Sequence, residues 1–316
     1  MKACVLQSSE KTLVLDVSLP EIKDDEVLIK VSVCGICTSE LSSWHNGQGG
    51  INGVLGHEAV GTVEKVGKGV SGFKTGDRVT GLMQGAYAEY TVANYMKIIH
   101  VPDAVSDKEA LGEPLSCILS GVNRTPVKLG DTVAIIGLGY MGLLFMQAMK
   151  RMGAGKIIAI DIRQASLDTA LKYGADEVYL PDNTPDKYKL TEWSHLDTER
   201  GCDVVVETSG TQAGIDLAGD MVNAHGILSI VGWHQYGLRS IDLCLWNWKG
   251  IDVINAHERR SDVHIECMKQ GMRLIERDLI DTKNLVTHVF SLSELDDAFK
   301  LMVNKPDGYI KAVIEI

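Results

Sequence analysis

Through the first hundred residues, apolar and polar positions come in short runs broken by glycine-rich turns. Val27-Leu28-Ile29-Lys30-Val31-Ser32-Val33 reads as a strand, and so does Ala59-Val60-Gly61-Thr62-Val63-Glu64-Lys65-Val66. Gly67-Lys68-Gly69 and Gly76-Asp77 supply turns. Such spacing predicts a compact barrel or sandwich. Near Pro126 the pattern changes. Thr132-Val133-Ala134-Ile135-Ile136 is continuously apolar, as a strand buried on both faces requires, and a helix is predicted from Tyr140 to Met152. The alternation then repeats, with strands over 157–160, 204–206, 228–231 and 251–254 and helices over 164–173 and 212–223. That order predicts a parallel sheet with helices on both faces, and an α/β chain. After Asp262, the apolar residues Ile265, Met268, Met272, Ile275 and Leu279 recur at helical spacing and form one stripe. The tail, 309–316, alternates like a strand and is expected to rejoin the N-terminal β unit.

The chain has 316 residues, enough for two cores. Its 31 Lys+Arg against 42 Asp+Glu leave a net charge of −11. That balance disfavours nucleic acid and anionic membranes as partners. No apolar run approaches the roughly 20 residues of a membrane span, and Met1-Lys2-Ala3-Cys4-Val5 lacks a signal-peptide core. Seven cysteines, an odd number in a chain of this length, read as reduced thiols in a cytoplasmic protein.

Two clusters carry chemistry. Gly137-Leu138-Gly139-Tyr140-Met141-Gly142 follows an apolar strand and opens a helix, the context in which G-x-G-x-x-G cradles a dinucleotide pyrophosphate. Asp161 ends the next strand, 19 residues after Gly142, where a carboxylate can accept from ribose hydroxyls and repel a 2′-phosphate. This favours NAD over NADP. Arg163 points the other way, since it can stack on adenine or meet a phosphate. In the β region Cys37 precedes His57 by 20 residues and Glu58 follows directly. Thiolate, imidazole and carboxylate suit zinc, with Glu113 as a fourth ligand or as a holder of water. Cys34 and Cys37 also form a C-x-x-C, which leaves a redox pair as an alternative.

Together Cys34-Gly35-Ile36-Cys37, Gly56-His57-Glu58, Gly76-Asp77-Arg78-Val79, Glu113-Pro114-Leu115 and Gly137 to Gly142 resemble the zinc-dependent medium-chain dehydrogenase/reductase superfamily. The likeness is to its polyol (sorbitol) and threonine dehydrogenase branch and runs nearly the whole chain. It implies a GroES-like β-barrel catalytic domain, residues 1–125 and 262–316, and a Rossmann doubly wound domain, residues 126–261. It implies one catalytic zinc on Cys37 and His57, with Glu58 as a direct or exchangeable ligand. Glu113 matches the glutamate that the polyol branch carries in place of a cysteine. Ser39 matches the hydroxyl that takes the alcohol proton. Ser209, Val231 and Asn255 fall at the nicotinamide end by family position. Trp44, Trp233 and His257, with His45, His234, Glu258 and Arg259, are candidate substrate contacts from loops expected to face the cleft.

The sequence departs from that pattern in three places. Only Leu82-Met83-Gln84-Gly85 stands where relatives carry a four-cysteine lobe, so no structural zinc is expected. Glu40 replaces an aspartate, and Ser42 replaces a relay histidine. The implied activity is hydride transfer between a secondary alcohol (a polyol, cyclitol, sugar or amino alcohol) and NAD, in a dimer or tetramer by family default. The alternatives are a zinc-free NADPH-dependent enone or quinone reductase of the same superfamily, and a nucleotide-binding thiol redox sensor. Trp246 and Trp248 are expected to pack a domain or subunit interface.

Overall fold

A computed structural model describes every residue except Asp197 and Tyr236. The chain divides into two compact units, Met1–Cys117 with Arg259–Ile316, and Ile118–Glu258.

The first unit opens with an antiparallel pair, β1 (Lys2–Ser8) and β2 (Lys11–Asp16). Then come β3 (Glu26–Gly35), the short helix α1 (Leu41–Asn46), β4 (Glu58–Val66), β5 (Arg78–Gly81), β6 (Tyr90–Asn94) and β7 (Ile98–His100). Helix α2 (Gly112–Arg124) follows and runs past Cys117, so its later residues belong to the second unit.

The second unit alternates strand and helix. It contains β8 (Thr132–Ile136), α3 (Tyr140–Arg151), β9 (Lys156–Ile160), α4 (Gln164–Lys172) and β10 (Glu177–Tyr179). It continues with β11 (Cys202–Glu207), α5 (Gln212–Met221), β12 (Val222–Ile230), α6 (Leu243–Lys249) and β13 (Asp252–Asn255). The six strands pair in parallel in the order β10-β9-β8-β11-β12-β13. The chain runs outward from β8 in one direction, then restarts beside β8 with β11 and runs outward in the other. The switch point therefore lies between β8 and β11, where doubly wound sheets bind ligands.

The chain then returns to the first unit through α7 (Ser261–Glu276), β14 (Val286–Ser291), α8 (Leu295–Asn304) and β15 (Lys311–Glu315). As expected, the tail joins the N-terminal β unit, because β15 pairs antiparallel with β3, Ile314 opposite Cys34. It does not alternate, however. Lys311 to Ile314 are all buried, because β15 lies between β14 and β3 with packing on both faces.

Other differences have local causes. The apolar stripe of α7 ends at Ile275, and Leu279 lies beyond the helix. Asp278 takes a left-handed φ of 53°, and the Leu279 amide turns back to Leu274 O. Helix α5 stops at Met221 and the chain enters β12 at once, so the strand begins at Val222. No glycine closes this helix. The buried Lys249 Nζ instead donates to Gly219 O, Asp220 O and Val222 O at 2.7, 3.1 and 2.9 Å. Trp246 packs inside the second unit's own core with Ile215, Met221 and Leu228, rather than at an interface.

Edge strand β10 is held by one carboxylate. Glu177 pairs with Lys156 and accepts from Tyr188 OH at 2.6 Å and Tyr179 OH at 2.7 Å. Burial alone would push this carboxyl up, but Lys156 and the two phenols outweigh it and hold it at about 2. Because the folded group titrates below the unfolded 4.5, its contribution is present above that value and is lost as pH falls toward 2. Thermal melts of Glu177→Gln should show lower stability at neutral pH and a flatter acid limb between these values. An acid limb as steep as the native one would remove Glu177 from the acid transition.

Candidate metal and nucleotide sites

In the first unit β3 ends at Gly35, and Cys37 lies just beyond in an extended residue before a short 3₁₀ turn (Thr38–Glu40). His57 directly precedes β4, and Glu58 is its first residue. The antiparallel register sets Glu58 opposite Gly35. A side chain at Gly35 would occupy the space of the Glu58 carboxylate, so glycine there admits the acid. The ligand atoms of Cys37, His57 and Glu58 lie within 4.8 Å of one another. Among the described residues this is the one group of three or more His, Cys, Asp or Glu arranged to share an ion.

The surrounding shell sets the protonation of the cluster. Glu40 is buried and bound on both oxygens. Its Oε1 accepts from Gly56 N at 2.6 Å and contacts His57 Nδ1 at 3.1 Å, and its Oε2 accepts from Tyr87 OH at 2.6 Å. A hydrogen on Nδ1 directed at Glu40 leaves His57 Nε2 for a metal. Burial opposes a charge on His57, but Cys37 and Glu40 outweigh it and push its pKa up to about 12. Glu113 lies outside the group of three. Burial raises its carboxyl pKa, with His57 opposing and Glu58 adding, and its Oε1 accepts from Cys117 Sγ at 3.3 Å. Ser39 is exposed and its hydroxyl reaches Cys37 Sγ at 3.2 Å.

Sequence reasoning missed Lys311. This buried lysine of β15 places Nζ 2.5 Å from Glu58 Oε2 and donates to Ile36 O at 2.8 Å. Lys311 is thus the close counter-charge of the Glu58 carboxylate. A buried carboxylate beside a thiol and an imidazole fits a zinc-type cation. The sequence signal was a lysine beginning an otherwise apolar closing strand. Glu40 and Tyr87 were also missed as supports; their only trace was the change from the usual aspartate.

In the second unit the glycine loop joins β8 to α3. Gly137 has φ +92°, and an added Cβ would strike Ser209 N and Thr208 Oγ1. Gly139 caps α3 with no side-chain hydrogen bond, and open space lies where its Cβ would stand. A helix start beneath open space fits a pyrophosphate. Tyr140 is buried and Met141 half-buried in the first turn of α3. Asp161 lies just past β9, where its Oδ2 accepts from Leu138 N at 2.7 Å and its Oδ1 from Arg163 N at 2.9 Å and Arg163 Nε at 3.3 Å. The expected acid thus also braces the glycine loop, with Arg163 tied to it.

Among the remaining candidates, Ser209 lies just past β11 and Val231 just past β12, while Asn255 ends β13. Trp233 is half exposed, with its ring 6.0 Å from that of the exposed His257. Trp44 is a correction. It is 1% exposed, stacks on Phe299 at 5.3 Å and donates Nε1 to Asp296 at 2.9 Å, so it builds the core and cannot touch substrate. Cys34 is also fully buried, and burial holds its thiol well above the usual range. That weighs against a reactive C-x-x-C pair.

Lys311→Met in metal-free protein leaves the Glu58 carboxylate buried without a cation. Urea unfolding should show a loss of about 3–5 kcal/mol, and adding Glu58→Gln should recover part of it. No loss would mean that the pair is unimportant to the fold.

Two family models match the chain: "Alcohol dehydrogenase GroES-like domain" over residues 23–103 and "Zinc-binding dehydrogenase" over 141–276. The sorbitol dehydrogenase of Bacillus subtilis (strain 168) is 30% identical over 99% of this chain and 97% of its own length. D-arabinitol dehydrogenase 1 of Uromyces fabae is 26% identical over 96% and 95%. Among solved structures, the alcohol dehydrogenase TADH from Thermus sp. ATN1 aligns with TM-score 0.85 at 26% identity, over 100% of this chain and 99% of the other. A structure described as a zinc-binding dehydrogenase from Sinorhizobium meliloti 1021, bound to NADP, aligns equally well at 25% over the same shares. The two units are the GroES-like and Rossmann-type halves of this fold. The chain belongs to the zinc-dependent medium-chain dehydrogenase/reductase family, in its alcohol and polyol dehydrogenase branch.

Proposed function

We propose that the protein interconverts a polyol-like secondary alcohol and its ketone with NAD, using one zinc ion per chain. The observation that carries this reading is the convergence of Cys37, His57 and Glu58 in a chain similar to sorbitol and arabinitol dehydrogenases. Cys37, His57 and Glu58 would hold the metal, with Glu113 as a further ligand or a holder of water. Bound there, zinc supplies Lewis-acid polarisation of the alcohol oxygen, and NAD supplies the hydride acceptor.

The chain's own residues do the rest. Glu40 fixes the His57 ring, so imidazole Nε2 is presented in one orientation. The exposed Ser39 hydroxyl takes the alcohol proton. With serine at 42 where relatives carry a histidine, that proton leaves through water or a ribose hydroxyl. The amides at the start of α3 hold the pyrophosphate. Asp161 accepts from the adenosine ribose, and its charge disfavours the 2′-phosphate of NADP. The cysteine–histidine–glutamate set weighs against a zinc-free enone or quinone reductase. The inert Cys34 weighs against a redox sensor.

Purified protein should contain about one zinc per chain by elemental analysis, as a catalytic site without a structural one requires. It should oxidise polyols with NAD. Cys37→Ser should lose the metal and the activity while keeping the native circular dichroism spectrum. Ser39→Ala should keep zinc but turn over on the order of a hundredfold more slowly. A zinc-free wild-type protein, after reloading, would sink the mechanism. For the cofactor, Asp161→Ser should raise kcat/KM with NADP relative to NAD; an unchanged ratio would remove Asp161 from the selection.

A further inference from the structure

Glu207, the last residue of β11, carries a fully buried carboxylate. Such a charge needs several donors. Its Oε1 accepts from Ser209 N at 2.7 Å, Ser209 Oγ at 2.6 Å and Gly210 N at 2.9 Å. Its Oε2 takes a bond from His234 Nε2 at 2.8 Å. On the other side of that ring, Arg239 Nε donates to His234 Nδ1 at 3.2 Å. A guanidinium only donates, so Nδ1 accepts and Nε2 carries the hydrogen given to Glu207. Arg239 also donates to Gly210 O at 3.1 Å and Gln235 O at 3.0 Å. One histidine in one tautomer thus ties the 208–211 turn after β11 to residues 232–235 and Arg239 after β12. Backbones meet there closely: a Cβ on Gly232 would collide with Gly210 N and Glu207 Oε2.

The location gives this chain of bonds a purpose. The turn after β11 borders the switch point between β8 and β11 and touches the glycine loop, Thr208 Oγ1 donating to Gly137 O at 2.5 Å. A dinucleotide straddles its pyrophosphate. With the pyrophosphate over the glycine loop and adenosine toward Asp161 just past β9, the other half extends over β11 and β12. The main-chain groups that meet it belong to the turns that Glu207, His234 and Arg239 hold.

We propose that His234 and Arg239 are positioning residues that act through Glu207 to fix the 208–211 turn for the nicotinamide half of the cofactor. This rests on the dinucleotide reading above. Neither residue touches the adenosine side, so their loss should be felt by one half of the ligand.

The test compares NADH with ADP-ribose, which lacks the nicotinamide, by calorimetric titration of the zinc-loaded protein. Arg239→Ala and His234→Leu should weaken NADH roughly tenfold, the scale of one lost charge-assisted hydrogen bond, and raise KM for NAD by a similar factor. ADP-ribose affinity should stay within about twofold of wild type, less than the effect of one net hydrogen bond. His234→Gln can donate to Glu207 and accept from Arg239, and should restore NADH binding. Equal weakening of both ligands would mean general damage to the domain and would overturn the proposal. Unchanged NADH binding in the Ala and Leu variants would overturn it as well. A wild-type protein that binds neither ligand would refute the dinucleotide reading itself, and this proposal with it.

Discussion

Burying negative charge is the constraint on which the functional half of this fold depends. Glu40, Glu58, Asp161 and Glu207 are all at most 8% exposed. A buried carboxylate is tolerated only when donors or a cation surround it. Each has been given a different solution. Glu40 has a main-chain amide, an imidazole and a phenol. Asp161 has one amide from the loop it braces and both the amide and the guanidinium of Arg163. Glu207 has two amides, a hydroxyl and a histidine. Glu58 alone is met by an ammonium, that of Lys311. It is also the acid that shares a group with Cys37 and His57.

A strand far along the sequence also reaches this group. Strand β15 pairs with β3 beside the very residues that lead into Cys37, and it brings Lys311 to Glu58 across 253 positions of sequence. The group of Cys37, His57 and Glu58 is therefore flanked by a strand distant in sequence, although all its ligand candidates lie in the first 113 residues.

What could be read from the sequence follows the range of the interactions involved. Cys37, His57, Glu58 and the glycine loop are marked by short motifs whose backbone demands are local, and so they stand out in the sequence. Helix and strand order in the second unit is fixed by apolar periodicity, which is equally local. Lys311, Tyr87 and the His234–Arg239 pair act through contacts between distant segments, and no spacing rule points to them. The failures have the same origin. Trp44 sits in a loop-like stretch, but Phe299 and Asp296 from α8 cover it. Leu279 continues a helical stripe, but Asp278 has already reversed the chain.

Lys249 gives the second unit an internal reporter. Its amine is 1% exposed and fully occupied in closing α5, so acylating reagents that label surface lysines within seconds have no path to it in the folded state. Acylation would neutralise the ammonium and leave the three carbonyls of 219, 220 and 222 without their donor. Labelling at this one residue thus counts openings of the α5–β12 junction, and each labelled molecule is barred from closing again.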